Sequence, residues 1–263
     1  MKPHLLFFDI DGTLLSEVTG KISAKTREAV EAARKNGHYT FLNTGRSFAE
    51  LDPKVVEVGF DGVVCGCGTY VNYRGENLVK ETVKGKKAQK ILSLIEQCKI
   101  IALLEGEEYF YVSQHISDEN LELVKKFFGE EVNQKCRYWE EMEPEFQKMS
   151  IWLPEDSDFA TFRRELEDEF AFIKRSDIFY EVIPKGYSKA TGMELLLQHL
   201  GIEKKHSVAI GDSTNDLPML KYAGISVAMG NSAQSVKNEV SFVTKSVEEE
   251  GVAYALSHLG FVE

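Results

Sequence analysis

The chain has 263 residues, enough for one large domain or two modest ones, with the 43% hydrophobic and 28% charged content of an ordinary globular protein. A formal net charge of −11 excludes a surface built for nucleic acid or an anionic membrane. It still admits a small phosphorylated substrate, because a metal ion and one or two cationic side chains can invert the potential locally.

Leu5–Phe8 is a run of four apolar residues that fits a buried parallel strand, although periodicity alone does not exclude a short buried helix. It stops at Asp9-Ile10-Asp11-Gly12-Thr13. Carboxylates at the mouth of a core strand need a partner, and a bound cation would supply one. The same string also fits a solvated turn. A calcium-binding helix–loop–helix is rejected, because its later ligand, glycine and glutamate places hold Thr13, Leu14 and Gly20. Only four apolar residues precede Asp9, too few for a signal peptide, and no later run approaches a membrane span. A cytoplasmic protein is expected.

Ser23 is a good N-cap for a helix over Ala24–Lys35, and Asn36-Gly37 a good stop. Tyr39–Asn43 is a second strand candidate, ending at Thr44-Gly45-Arg46. Strand, helix and strand make a right-handed βαβ unit. Asp9 and Thr44 then share one sheet edge, where open α/β folds bind ligands. Gly62–Cys65 is a further core strand, followed by a glycine-rich turn and Thr69-Tyr70-Val71.

From about Thr82 to Ile183 the pattern changes. Helices at Lys86–Gln97 and Asn120–Phe128 alternate with strand-like runs at Ile100–Leu104, Tyr109–Val112, Met149–Leu153 and Ile178–Ile183. Both tryptophans, Trp139 and Trp152, fall here; the aromatics of this stretch read as the core of a small α+β domain, with one or two of them able to face a substrate instead. The four cysteines (Cys65, Cys67, Cys98, Cys136) form neither a disulfide framework nor a Cys-x-x-Cys zinc pair and read as buried thiols. The α/β rhythm returns with a helix over Ala190–Leu200 and a strand over Ser207–Ile210. That strand ends in Gly211-Asp212-Ser213-Thr214-Asn215-Asp216. Leu217–Tyr222, Ile225–Ala228, Phe242-Val243 and Val252–Leu259 complete the pattern. The expected fold is α/β: a Rossmann-like parallel-sheet domain with helices on both faces, formed by 1–82 and 186–263. An α+β domain is inserted at 83–185, with Lys84-Gly85 and Lys185-Gly186 as possible hinges.

Four signals thus sit at strand or helix ends: Asp9/Asp11, Thr44-Gly45, Lys189, and Asp212/Asn215/Asp216. Together and in this order they resemble the haloacid dehalogenase superfamily of phosphotransferases, most closely its Cof-type phosphatases, which carry a large cap between the second and third motifs. Gly230-Asn231 and Glu249-Glu250-Gly251-Val252-Ala253 agree with that resemblance, which covers essentially the whole chain. One departure is Cys67-Gly68-Thr69, where the family usually has Asn-Gly-Ala.

The residue types suit phosphoryl transfer on their own terms. Asp9 can be the nucleophile, and Asp11 can protonate the leaving alkoxide and later take a proton from water. Thr44 can donate to a phosphoryl oxygen, and Lys189 can offset charge on the equatorial oxygens. Asp9 and Asp212, with the backbone carbonyl of Asp11, offer oxygen ligands to Mg²⁺, and Asp216 can orient the metal shell. The resemblance implies the same roles and adds the Ile10 and Gly45 backbones and the Asn215 side chain as phosphate contacts. Arg46 fits either an internal salt bridge or a substrate contact. The expected activity is Mg²⁺-dependent hydrolysis of a small phosphomonoester, a sugar phosphate or cofactor phosphate, through an aspartyl phosphate. The expected protein is a monomer or weak homodimer with no nucleic-acid or membrane partner. A phosphosugar mutase and a non-catalytic phosphometabolite-binding regulator are the alternatives.

Overall fold

The structure, a computed structural model, describes residues 2–128 and 134–263. The chain divides into two compact units, one comprising Met1–Gly45, Asp52–Val79 and Ser188–Glu263, the other Arg46–Leu51 and Lys80–Tyr187. Among the described residues, no helix is long and apolar enough to cross a membrane.

The first unit is built on one sheet. Its strands are β1 (Leu5–Phe8), β2 (Tyr39–Asn43), β3 (Gly62–Cys65), β4 (Tyr70–Tyr73), β5 (Glu76–Lys80, whose last residue falls to the second unit), β12 (Ser207–Gly211), β13 (Ile225–Ala228) and β14 (Phe242–Val243). Their order is β14-β13-β12-β1-β2-β3-β4-β5. Every pair from β14 to β3 is parallel, and β4 returns antiparallel to β3. All four residues of β1 are fully buried, as expected of a strand flanked by parallel neighbours. Alternation then divides the sheet. Leu5, Phe7, Phe41 and Val64 point to one face, where they meet Met193, Leu196 and Leu197 of α6 (Lys189–His199) and Met219 and Leu220 of α7 (Leu217–Tyr222). Phe7 and Phe41 stack there at 5.2 Å. Elsewhere in the unit α1 (Ala24–Lys35) packs against α9 (Gly251–His258). The α1 cap is as read from the sequence: the Ser23 hydroxyl accepts the Thr26 N–H, and Val30 and Ala33 are buried.

The second unit has a six-stranded sheet in the order β10-β11-β9-β6-β7-β8. Its strands are β6 (Ile101–Glu105), β7 (Phe110–Val112), β8 (Cys136–Tyr138), β9 (Lys148–Trp152), β10 (Phe170–Lys174) and β11 (Phe179–Pro184). All pairs are antiparallel except β7 with β8. One face, through Ala102, Leu104, Met149, Ile151 and Val182, joins a core with α3 (Gly85–Gln97) and α5 (Phe159–Leu166). The other face, with Leu103, Phe110, Val112 and Trp152, packs with Ala49 and with Val124 of α4 (Asp118–Phe128). Trp139 and Trp152 are both buried, as expected of core residues. Cys136 departs from the expectation of a buried thiol: on a short strand at the sheet edge it is half-buried, whereas Cys65, Cys67 and Cys98 are buried. The short helices α2 (Pro53–Val56) and α8 (Gln234–Lys237), with α5, β5, β8 and β10, complete the two units beyond the elements expected from the sequence.

Candidate active site

The parallel register brings three chain segments to one sheet edge. Phe8 is level with Leu42 on β2 and with Ile210 on β12, so Asp9, Asn43 and Gly211 follow side by side. The Asp9 N–H continues the ladder to the Ile210 carbonyl at 3.0 Å, and the Thr44 N–H continues it to Val64 at 2.9 Å. Both carboxyl-end residues are therefore held by backbone, and both are buried. From across the first unit, the Ser188 hydroxyl caps α6 by accepting the Thr191 N–H, which fixes Lys189 as the first residue of that helix. A cation at a helix N-terminus opposes the helix dipole and needs local anions. Two are present: Lys189 Nζ donates to Asp9 Oδ1 and to Asp216 Oδ1, each at 2.6 Å.

Asp216 is fully buried and holds the loop after β12 in shape. Its Oδ2 accepts the N–H groups of Asp212 and Ser213, each at 2.9 Å. With Oδ1 on Lys189, both of its oxygens are engaged inside the protein. Glycine is required at Gly211, because a Cβ there would lie 2.6 Å from the Asp216 carboxyl carbon. It is also required at Gly12, where φ is +71° and a Cβ would lie 2.5 Å from Asp212 Oδ2. Thr13 Oγ1 donates to Asp212 Oδ1 at 3.4 Å.

Asp9, Asp212 and Asp216 each offer one oxygen within 4.8 Å of the others. Burial, then the Asp216 carboxylate, push the Asp9 carboxyl well above the usual range, against the pull of Lys189. Burial and then Asp216 push Asp212 up to about 7. Burial acts against the Lys189 ammonium too, but Asp216 and Asp9 outweigh it and raise its pKa above that of an ordinary lysine. Burial acts on all three groups, and three clustered carboxylates against one ammonium add to it for the acids and override it for the lysine. The site is short of positive charge and its donors are all oxygens, which fits a hard divalent cation.

Of the residues singled out in the sequence, Asp9, Lys189, Asp212 and Asp216 form this cluster. Ile10 and Asp11 continue directly from Asp9, and the Ile10 carbonyl anchors the turn that follows. Gly45 lies beside Asn215: a Cβ on Gly45 would sit 3.8 Å from Asn215 Nδ2. Ser213 Oγ in turn donates to Asn215 Oδ1 at 2.6 Å. Arg46 falls in the second unit, where Nη1 donates to the Glu50 carbonyl. Asn43 was missed. It is fully buried, and its Nδ2 donates to the Lys189 carbonyl at 3.0 Å, tying the start of α6 to the end of β2. The sequence signal was a lone amide ending an otherwise apolar-capable strand. Thr13 stands within the first motif, and its hydrogen bond to Asp212 is a contact that residue type and spacing do not announce.

A family model described as haloacid dehalogenase-like hydrolase matches residues 6–256. The chain is 28% identical over 264 residues to a Bacillus subtilis (strain 168) protein named putative phosphatase YkrA, covering 100% of each. It is 25% identical over 272 residues to the 5-amino-6-(5-phospho-D-ribitylamino)uracil phosphatase YitU of the same organism, covering 96% of each. Among solved structures, the haloacid dehalogenase subclass IIB sugar phosphatase BT4131 aligns with a TM-score of 0.79 at 28% identity, covering 98% of this chain and 100% of that one.

Proposed function

The chain belongs to the haloacid dehalogenase-like hydrolases, and from that membership we propose that it is a Mg²⁺-dependent phosphatase of a small organic phosphomonoester, acting through an aspartyl phosphate. The observation that carries the reading is the buried Asp9–Lys189–Asp216 chain, two carboxylates on one ammonium, with Asp212 offering a third carboxylate oxygen within 4.8 Å. A sugar phosphate or cofactor phosphate is the substrate class, in line with the names of the related phosphatases. Residues 83–185 are assigned to the cap of that family.

In this reading a carboxylate oxygen of Asp9 attacks phosphorus while Lys189 holds Oδ1 and orients the group. The bond from phosphorus to the leaving oxygen breaks with its electron pair on that oxygen, which takes a proton from Asp11. The products of this step are the free alcohol and an aspartyl phosphate. Water then attacks phosphorus, Asp11 takes its proton, and phosphate leaves with Asp9 restored. Thr44, Asn215 and the Ile10 and Gly45 backbones would donate to the phosphoryl oxygens, and Lys189 would offset their charge. Asp9 and Asp212, with the backbone carbonyl of Asp11, would hold the Mg²⁺, whose charge adds to that offset. Asp216, with both oxygens already engaged, serves as the brace of this shell.

The test is phosphate release from a panel of sugar phosphates, nucleotides and cofactor phosphates, with Mg²⁺ or with EDTA. Wild type should release phosphate only with the metal, Asp9→Asn should release none, and Lys189→Ala should turn over about 10²–10³-fold more slowly. Metal-independent release, or an Asp9→Asn variant at wild-type rate, overturns the reading.

A further inference from the structure

The turn after β1 is built around one carbonyl. Ile10 O accepts the N–H groups of Thr13, Leu14 and Leu15, at 3.3, 3.0 and 2.8 Å, and the Gly12 N–H closes back on Leu15 O at 3.0 Å. Within this turn Gly12 is the softest joint, because without a Cβ its backbone is least restricted. The fold cannot stiffen it with a side chain, since the Cβ position is taken by the Asp212 carboxylate. Asp11, the proposed proton donor, is attached directly to that joint.

A tie from outside the turn holds it instead. Asn231 Nδ2 donates to the Gly12 carbonyl at 2.9 Å, and Asn231 Oδ1 accepts the Val247 N–H at 3.0 Å. A carbonyl at one end and an N–H at the other define the amide's orientation, since a flip would set acceptor against acceptor and donor against donor. Asn231 is an exposed residue, so this side chain has no packing role to explain it. Its own backbone is anchored: the Gly230 N–H donates to Lys245 O at 2.9 Å, and a Cβ on Gly230 would lie 2.5 Å from the Ser246 nitrogen. The same C-terminal loop reaches the far end of the segment, where Ser16 Oγ donates to Glu248 Oε1 and Ser23 Oγ to Glu250 Oε2.

We propose that Asn231 is a positioning residue that, through its hydrogen bond to the Gly12 carbonyl, holds Asp11 in place for protonating the leaving group. This rests on the reaction proposed above and names a residue that acts on one step of it. Loss of the tie should therefore slow the step that needs a proton and spare one that does not.

The experiment compares kcat/KM, which reports events up to leaving-group departure, for two substrates. One is a sugar phosphate turned over by wild type, whose alkoxide must be protonated. The other is p-nitrophenyl phosphate, whose leaving group departs unprotonated. Asn231→Leu removes both hydrogen bonds, while Asn231→Asp keeps an acceptor for Val247 and loses the donor to Gly12. Both variants should lose about tenfold or more on the sugar phosphate relative to the aryl phosphate, a modest share of what general acid catalysis contributes. Equal losses on the two substrates, or Asn231→Asp at wild-type rates, overturn the role. A wild type that hydrolyses neither substrate would show as an absent baseline and remove the reaction itself, and this role with it.

Discussion

At the scale of single residues, the backbone at Cys67 explains more than its thiol does. Cys67 has φ +55° and ψ +38°, a left-handed conformation that a non-glycine side chain adopts at a cost, and it is buried. Asparagine tolerates this region better than other side chains. The Cys67-Gly68-Thr69 departure from Asn-Gly-Ala therefore places a cysteine where the backbone itself favours asparagine. The turn holds regardless, because the Cys67 N–H donates to the Thr44 carbonyl at 3.2 Å and Thr69 Oγ1 to Gly66 O at 2.9 Å. Cys67→Asn should stabilise the protein by about 0.5–1 kcal/mol in urea unfolding, a part of the left-handed penalty. Cys67→Ala should bring no such gain. A Cys67→Asn variant less stable than wild type would mean that thiol packing outweighs the backbone term.

At the scale of elements, strand register builds a charged ladder in the second unit. Glu105 on β6 faces Lys148 on β9, and Ser150 on β9 faces Glu181 on β11, all on the sheet face away from α3 and α5. Lys148 Nζ lies 3.2 Å from Glu105 Oε2 and 3.6 Å from Glu181 Oε1, and Ser150 Oγ donates to Glu105 Oε1 at 2.7 Å. Glu105 and Lys148 are at most 2% exposed, so each needs the other. Burial pushes the Glu105 carboxyl well above its usual range; the Lys148 ammonium opposes that, and the neighbouring Glu50 adds to it. Lys148→Met leaves a buried carboxylate without its cation and should cost about 3–5 kcal/mol in urea unfolding. The double variant Lys148→Met with Glu105→Leu should recover most of that. A single-variant loss below about 1 kcal/mol, the size of an exposed pair, would rule out a structural role for the contact.

At the scale of the whole chain, distant segments meet at the N-terminal edge of the first unit's sheet. His4 precedes β1, His38 precedes β2, His206 precedes β12, and Phe261 follows α9. The His4 ring centroid lies 5.6 Å from His38, 5.0 Å from His206 and 5.1 Å from Phe261. His38 Nδ1 accepts the His4 N–H at 3.2 Å, so it carries no proton in the fold. Burial lowers the pKa of both His4 and His38 from the ordinary value of 6.5; the hydrogen bond to the Lys2 carbonyl opposes this at His4 and His206 adds to it, while His4 adds to it at His38. In the window below 6.5 the unfolded chain binds protons that the fold resists. This contribution to stability is thus complete above that pH and is lost as pH falls through 6.5 towards the lowered folded values. His38→Asn keeps an acceptor near the Nδ1 position and cannot titrate. Its Tm should fall less than that of wild type between about pH 7 and 5, the range in which histidine changes charge. Equal falls would place the acid sensitivity elsewhere.

Whatever is local or periodic can be read from the residues alone. Leu5–Phe8 showed its burial in four adjacent apolar residues, and Ser23 and Asn36 marked the ends of α1. The α/β class was legible, and so was the meeting of Asp9 with Asp212 and Asp216, because parallel crossovers bring the ends of β1 and β12 to one edge; Lys189, at the start of a helix, joins them only through the fold. Which donor meets which acceptor follows from the folded packing. Asn43 on Lys189, Asn231 on Gly12 and Ser16 on Glu248 join positions 146, 219 and 232 residues apart. Residue type and spacing do not encode such pairings. An asparagine or serine has the same pattern whether it faces solvent or a backbone carbonyl far along the chain, and packing alone chooses between them.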